Sequence, residues 1–121
     1  MQIAQKNFYK KLLGRIGEKT AVKHLKSKGF KILETNYKTR IGEIDLIAKD
    51  GEYTVFIEVK ARSSDAFGVP SEAVDKRKRE KYYKVASEYL LIHGLTDTPC
   101  RFDVIEIEDG QINHIIDAFC M

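Results

Sequence analysis

The chain has 121 residues, 43% hydrophobic and 32% charged, with a formal net charge of +3. That length suits one hydrophobic core, and the balance of apolar and charged residues excludes a disordered chain. No run approaches the roughly 20 apolar residues of a membrane span, and the polar start MQIAQKNFYKKLL lacks the apolar stretch of a signal peptide.

The expectation from these features is a single cytoplasmic domain, without a membrane partner and with reduced thiols. Cys100 and Cys120 have no CxxC spacing, and His24, His93 and His114 lie far apart, so neither type forms a metal-ligand pattern. Both sets are read as structural.

In chain order, a helix is predicted up to about Gly29. Glu18, Ala21, Val22 and Leu25 recur at i, i+3, i+4 and i+7 on one face, and Gly29 suits a left-handed helix end. The segment 30–37, FKILETNY, reads as a first strand. GEIDLIAKDGEYTVFIEVKA follows, two runs rich in Ile, Val, Phe and Tyr around Asp50-Gly51, which signals a β-hairpin. SSDAFGVP after Arg62 reads as a loop that closes over a phosphate backbone. A long helix is predicted from about Asp75, a candidate cap, to His93, with Gly94 beyond its end. RFDVIEIEDGQINHIIDAF reads as a second hairpin turning at Asp109-Gly110. Helix, three strands, helix and two strands point to an α/β or α+β sandwich, with helices packed on a mixed sheet.

The chemistry concentrates in the first hairpin. Strand alternation puts Glu43, Asp45 and Ile47 on one face of the first run and Phe56, Glu58 and Lys60 on one face of the second. With a two-residue turn at Asp50-Gly51, cross-strand partners sum to 101, so Glu43 faces Glu58 and Asp45 faces Phe56. Asp45 is then the diagonal neighbour of Glu58, at roughly 7–8 Å or less. Three carboxylates and one ammonium would meet on one patch. Like charges so placed destabilise a sheet unless a cation joins them. A hard divalent ion that accepts a few carboxylate oxygens, water and phosphate resolves the conflict. Lys60 would reach the same space. A Glu-Val-Lys triplet is common on solvated sheet faces. What points to a site here is its combination with the acidic pair, the tight turn and the apolar run Val-Phe-Ile.

At these residues the chain resembles the PD-(D/E)XK nuclease superfamily, and more closely the YraN-type family of small uncharacterised bacterial proteins, which is similar to archaeal Holliday-junction resolvases. The resemblance runs through GRIGEKTA at 14–21, GEIDLIAKDG at 42–51, FIEVKAR at 56–62, FGVPSEAV at 67–74 and CRFDVIEIEDG at 100–110. It implies a restriction-endonuclease-like core, a central mixed sheet of about five strands flanked by helices, and Mg²⁺ or Mn²⁺ as cofactor. It puts Asp45 at the motif's first acid, Glu58 at its second and Lys60 at its lysine. Glu18 matches the first-helix glutamate of related resolvases, completing a catalytic set of Asp45, Glu58, Lys60 and Glu18. Asp45, Glu58 and Glu18 are then candidate metal ligands. Ile44 stands where the motif has proline. Glu43 has no counterpart in the minimal motif and is a candidate supporting ligand, an outer partner of the ligands or a hydrogen-bond partner of the backbone.

Six of the nine residues from Lys76 to Lys84 are basic, interleaved with Tyr82 and Tyr83. Lys78 shares a helical stripe with Tyr82, Val85 and Tyr89 and would turn inward. Lys76, Arg77, Arg79, Lys81 and Lys84 would largely face out. Arg40, Arg62, Lys76, Arg77, Lys78, Arg79 and Lys81 are the candidate nucleic-acid contacts, of the type that positions phosphates without reading sequence. Asp103 is read mainly as structural. The expected function is a divalent-metal-dependent endonuclease hydrolysing DNA phosphodiesters, branched recombination or repair intermediates among them. The resemblance to dimeric resolvases suggests a homodimer. The alternatives are a non-catalytic nucleic-acid-binding module on the same scaffold and a protein-interaction domain.

Overall fold

The computed structural model describes the backbone of residues 2–62 and 76–119, and the side chains of 11–62 and 76–119. Helix α1 (Gln2–Ser27) precedes strands β1 (Lys31–Lys38), β2 (Glu43–Asp50) and β3 (Tyr53–Arg62). Helix α2 (Lys76–Ile92), β4 (Cys100–Glu108) and β5 (Gln111–Phe119) follow. The strands form one five-stranded sheet in the order β1-β2-β3-β4-β5. All neighbours are antiparallel except β3 and β4, which run parallel because α2 lies between them in the chain. This is an α+β fold consistent with a restriction-endonuclease-like core. The expected loop at 63–70 and the cap at Asp75 lie outside the described residues.

Both helices end as their glycines dictate. Gly29 has φ +89°, with the Phe30 N–H donating to the Leu25 carbonyl at 2.9 Å and the Gly29 N–H to Lys26 at 3.0 Å. Gly94 (φ +66°) repeats the pattern, Leu95 donating to Leu90 at 2.8 Å and Gly94 to Leu91 at 3.3 Å. In each case a left-handed glycine satisfies carbonyls that the helix leaves open, and an apolar residue is folded back on the last turn.

The sheet separates two cores. On one face Ala21 and Leu25 of α1 pack with Phe30, Leu46, Ala48, Val55, Ile57, Ile105 and Ile107. On the other, Tyr82, Val85, Ala86, Tyr89 and Leu90 of α2 pack with Ile44, Ile47, Phe56 and Phe102. The inward stripe expected for α2 is therefore observed, with Tyr82, Val85 and Tyr89 all buried. A Cβ on Gly17 would stand 2.5 Å from the Ala61 Cβ, so α1 rides on β3 at a distance that only glycine permits.

The first hairpin corrects the sequence reading. Its turn is Gly51-Glu52, with Asp50 paired to Tyr53, so partners sum to 103 rather than 101. Gly51 takes the left-handed turn position (φ +60°), while Asp50 stays in the ladder and binds Arg101 Nη1 at 2.9 Å. Glu43 consequently does not face Glu58, and Phe56 pairs with Ile47 rather than Asp45. A shift of two in the sum preserves which residues share a face. The second hairpin turns at Asp109-Gly110 as expected, both residues having positive φ (50° and 79°).

Candidate functional site

β2 and β3 stay in register from Asp50↔Tyr53 to Leu46↔Ile57. Just past that last pair, Asp45 Oδ2 accepts the Val59 N–H at 2.8 Å. Glu58 follows Ile57 on β3 and is 3% exposed. Burial raises the Asp45 carboxyl to about 6; the Val59 hydrogen bond opposes the shift, the nearby charge of Glu58 adds to it, Lys78 opposes it and Glu18 adds a smaller push. Two carboxylates thus sit close together, and the charge of Glu58 makes that of Asp45 harder to hold.

Glu58 has an internal counterion. Lys78 of α2 forms an ion pair with Glu58 Oε1, and Tyr82, one helical turn on, is hydrogen-bonded to the same carboxylate. Burial pushes the Tyr82 hydroxyl far up, and the charges of Glu58, Asp45 and Glu43 push it further. Tyr82 is therefore a fixed hydrogen-bond donor. The second oxygen, Glu58 Oε2, is buried without a hydrogen-bond partner among the described residues.

The two residues that hold Glu58, Lys78 and Tyr82, also line a cleft of about 510 Å³ with Lys38, Thr39, Gly42, Glu43, Arg77 and Lys81. The β1–β2 turn forms one wall, tied by the Thr39 N–H to the Gly42 carbonyl (2.8 Å) and by Thr39 Oγ1 accepting the Ile41 and Gly42 N–H groups (3.1 and 3.3 Å). Arg40 is exposed on that turn, and Lys76 is exposed at the start of α2. Arg79 is half-buried. Lys60 and Arg62 line a different cleft, about 240 Å³, with Glu106, Glu108, Gln111 and Asn113.

The other two acids expected at the site are not gathered into it: Glu18 gives Asp45 only the smallest of its electrostatic pushes, and Glu43 acts on the Tyr82 hydroxyl. Glu18 on α1 accepts a hydrogen bond from Asn36 Nδ2 at 2.8 Å, and Glu43 is exposed on the cleft wall, paired with Lys38. Asn36 is a contributor that the sequence reading missed. It falls between the registered pairs Thr35↔Leu46 and Tyr37↔Ile44, at the level of Asp45, with φ +52°. An asparagine inside an otherwise β-like run was the available signal, because Asn tolerates left-handed backbone better than most residues.

Among the described residues no group of three or more His, Cys, Asp or Glu is arranged to hold a metal ion. What is present is a carboxylate pair with one buried, unpartnered oxygen. That donor set fits a hard ion such as Mg²⁺, which takes one or two carboxylates and completes its shell with water and phosphate. It does not fit the four N/S ligands of structural zinc.

The model of uncharacterised protein family UPF0102 matches residues 17–107 of this chain. The chain belongs to family UPF0102. It is 53% identical over 108 residues to a UPF0102 protein of Clostridioides difficile (strain 630), covering 88% of this chain and 95% of that relative. It is 50% identical over 115 residues to one of Alkaliphilus oremlandii (strain OhILAs), 90% and 98% of the two chains. A UPF0102 protein of Caldanaerobacter subterraneus subsp. tengcongensis is 46% identical over 121 residues, 94% and 99%. The family is the YraN type identified from the sequence motifs. Among the described residues of this UPF0102 chain, no helix is long and apolar enough to cross a membrane.

Proposed function

We propose that this UPF0102 chain is a divalent-cation-dependent nuclease that hydrolyses phosphodiester bonds in DNA. The observation that carries the reading is the carboxylate pair: Asp45 with a raised pKa, and Glu58 with an oxygen that has no hydrogen-bond partner among the described residues, joined through Lys78 and Tyr82 to a cleft lined by four basic residues. One ammonium, Lys78, serves two carboxylates, so a divalent cation would add counter-charge there, and a phosphate chain is the anion that the cleft suits.

Asp45 and Glu58 would hold Mg²⁺ or Mn²⁺. Bound there, the ion would supply Lewis acidity toward a phosphoryl oxygen and lower the pKa of a water molecule. The chain's own residues do the rest. The Val59 N–H orients Asp45, and Tyr82 orients Glu58. Lys38, Arg77 and Lys81 hold the phosphate backbone against the cleft, with Arg40 and Lys76 extending the basic surface. Lys60, two residues beyond Glu58 on β3, is assigned to orient the attacking water or contact the phosphate, from the neighbouring cleft that it lines with Arg62. Glu18, tied to Asn36, contributes negative charge from the α1 face.

The test is incubation of the purified protein with labelled linear, single-stranded and four-way-junction DNA, under titration with Mg²⁺ and Mn²⁺, beside Asp45→Ala and Lys60→Ala. Cleavage should require metal, vanish in Asp45→Ala and fall about 10²–10³-fold in Lys60→Ala, the usual scale for removing one charge-stabilising group. Equal cleavage by Asp45→Ala would remove this mechanism. One observation favours a second reading, a non-catalytic DNA-binding module: the Lys78 ion pair already supplies Glu58 with a cation. Salt-dependent DNA binding without cleavage under every metal condition would select it.

A further inference from the structure

We infer that Lys78 is an internal stand-in for the divalent cation, released from Glu58 when a nucleic-acid phosphate enters the cleft, so that substrate binding and cation loading are coupled through one side chain. This rests on the reading of Asp45 and Glu58 as the cation-holding pair.

Glu58 is almost fully buried, and a carboxylate there needs a positive partner at all times. In this structure that partner is Lys78, seated on Oε1. The same ammonium acts on Asp45, the other half of the pair. A divalent ion at the pair and an ammonium on Glu58 would be like charges competing for the same oxygens, so the two occupants exclude each other.

Lys78 is also placed to leave. Its side chain is 49% exposed, and it lines the cleft together with Lys38, Arg77 and Lys81. Lysine is a point charge on a flexible stem, without the two-pronged grip of arginine on a carboxylate, so its partner can be exchanged. A phosphate among those three other cations offers Lys78 an alternative anion within its own reach. Once the ammonium moves to the phosphate, the Glu58 carboxylate is open to a metal, with Tyr82 still donating to it. The coupling is reciprocal: a cation on the pair pushes Lys78 into the cleft and strengthens phosphate binding by the same factor.

The test measures Mn²⁺ binding from the loss of the free-ion paramagnetic resonance signal. Wild type, Lys78→Met, Lys78→Arg and Asp45→Asn are compared with and without a short phosphorothioate-linked DNA duplex, whose own Mn²⁺ uptake is subtracted. Without DNA, Lys78→Met should bind Mn²⁺ about tenfold more tightly than wild type, on the order expected for removing one competing charge near a protein surface. DNA should tighten Mn²⁺ binding by wild type by a larger factor than by Lys78→Met, in which only direct phosphate ligation of the ion remains. Lys78→Arg keeps the charge and adds donors able to reach Oε2, so it should bind Mn²⁺ more weakly than wild type. That comparison stands if Lys78→Met fails to fold. Equal or weaker binding by Lys78→Met, or equal binding by Lys78→Arg, with binding abolished in Asp45→Asn, would overturn the coupling and leave the cation site intact. No Mn²⁺ uptake by any folded variant would overturn the coupling together with the cation site.

Discussion

Two buried acidic groups lie on adjacent strands and opposite faces of one sheet, and they are treated in opposite ways. Asp103 on β4 is fully buried on the α1 side. Arg101 binds both of its oxygens (3.0 and 3.2 Å), His114 Nε2 binds Oδ2 at 2.8 Å and the Asp117 N–H binds Oδ1 at 3.0 Å. The chain extends outward through His114 Nδ1 to His24 Nε2 at 3.3 Å. Burial alone would raise the Asp103 carboxyl, but the bonds from His114, Arg101 and Asp117 outweigh it and hold the group below its ordinary range. On the α2 side, burial wins at Asp45, and among the described residues an oxygen of Glu58 has no hydrogen-bond partner. The same fold can satisfy a buried carboxylate completely, whereas among the described residues the Asp45–Glu58 site is left short of partners, a contrast that fits the proposed functional role of that site.

The sharpest way to break this comparison is to remove one charge from each side. Asp103→Asn leaves Arg101 without its buried counter-charge and should cost about 3–5 kcal/mol in urea unfolding; a loss under 1 kcal/mol would mean that the network contributes little. Asp45→Asn should do the reverse. An acid with a raised folded-state pKa holds its proton more tightly folded than unfolded, so stability falls as pH rises from about 4 to about 6 and stays low above. The amide, which can still accept the Val59 N–H, should therefore stabilise the metal-free protein at pH 8 by up to about 3 kcal/mol, at roughly 1.4 kcal/mol per pKa unit. The gain should shrink to near zero at pH 4. A pH-independent gain would assign the effect to packing rather than charge.

Smaller effects sharpen the same contrast. Tyr82→Phe removes the donor to Glu58 and should cost about 1.5 kcal/mol, the low end for a hydrogen bond to a charged group. No change would show that Lys78 alone holds the carboxylate. The smallest effect on stability belongs to Arg77→Ala with Lys81→Ala, within about 0.5 kcal/mol as for other surface changes. That double variant should flatten the salt slope of DNA binding by up to about 0.9 for each phosphate that the protein no longer neutralises. An unchanged slope would return both residues to a merely solvated role.

Much of the fold was legible in the sequence, because helical periodicity, Asp-Gly turns and alternating apolar residues act over short range. The order of elements, the ends of α1 and α2 and the inward stripe of α2 followed from them. The register of the first hairpin did not: Asp50 stays in the ladder opposite Tyr53, where it meets Arg101 from far along the chain, a contact that no local pattern encodes. Of the site, the pairing of Asp45 with Glu58 and the inward turn of Lys78 could be read from motif and stripe. Asn36 beside Glu18, and the separation of Lys60 from the basic cleft, depend on β1–β2 and β4–β5 packing that no local pattern encodes. Histidines 90 residues apart likewise gave no spacing signal, although the structure joins His24 to His114 and Asp103.

The left-handed residues on the outer strands have a consequence for solubility. β1 and β5 are the two borders of the sheet, and β5 shows Ile112, Ile115 and Ile116 to solvent, a composition that invites strand-to-strand aggregation. Each border is broken. β1 carries a bulge between Ile32 and Glu34 and left-handed Asn36. β5 carries a bulge opposite Asp103 and left-handed Asp117. The kink in β5 is fastened by the Asp117 N–H on Asp103. The buried network on the α1 side therefore guards the border as well as the core, denying a neighbouring molecule a straight strand on which to add.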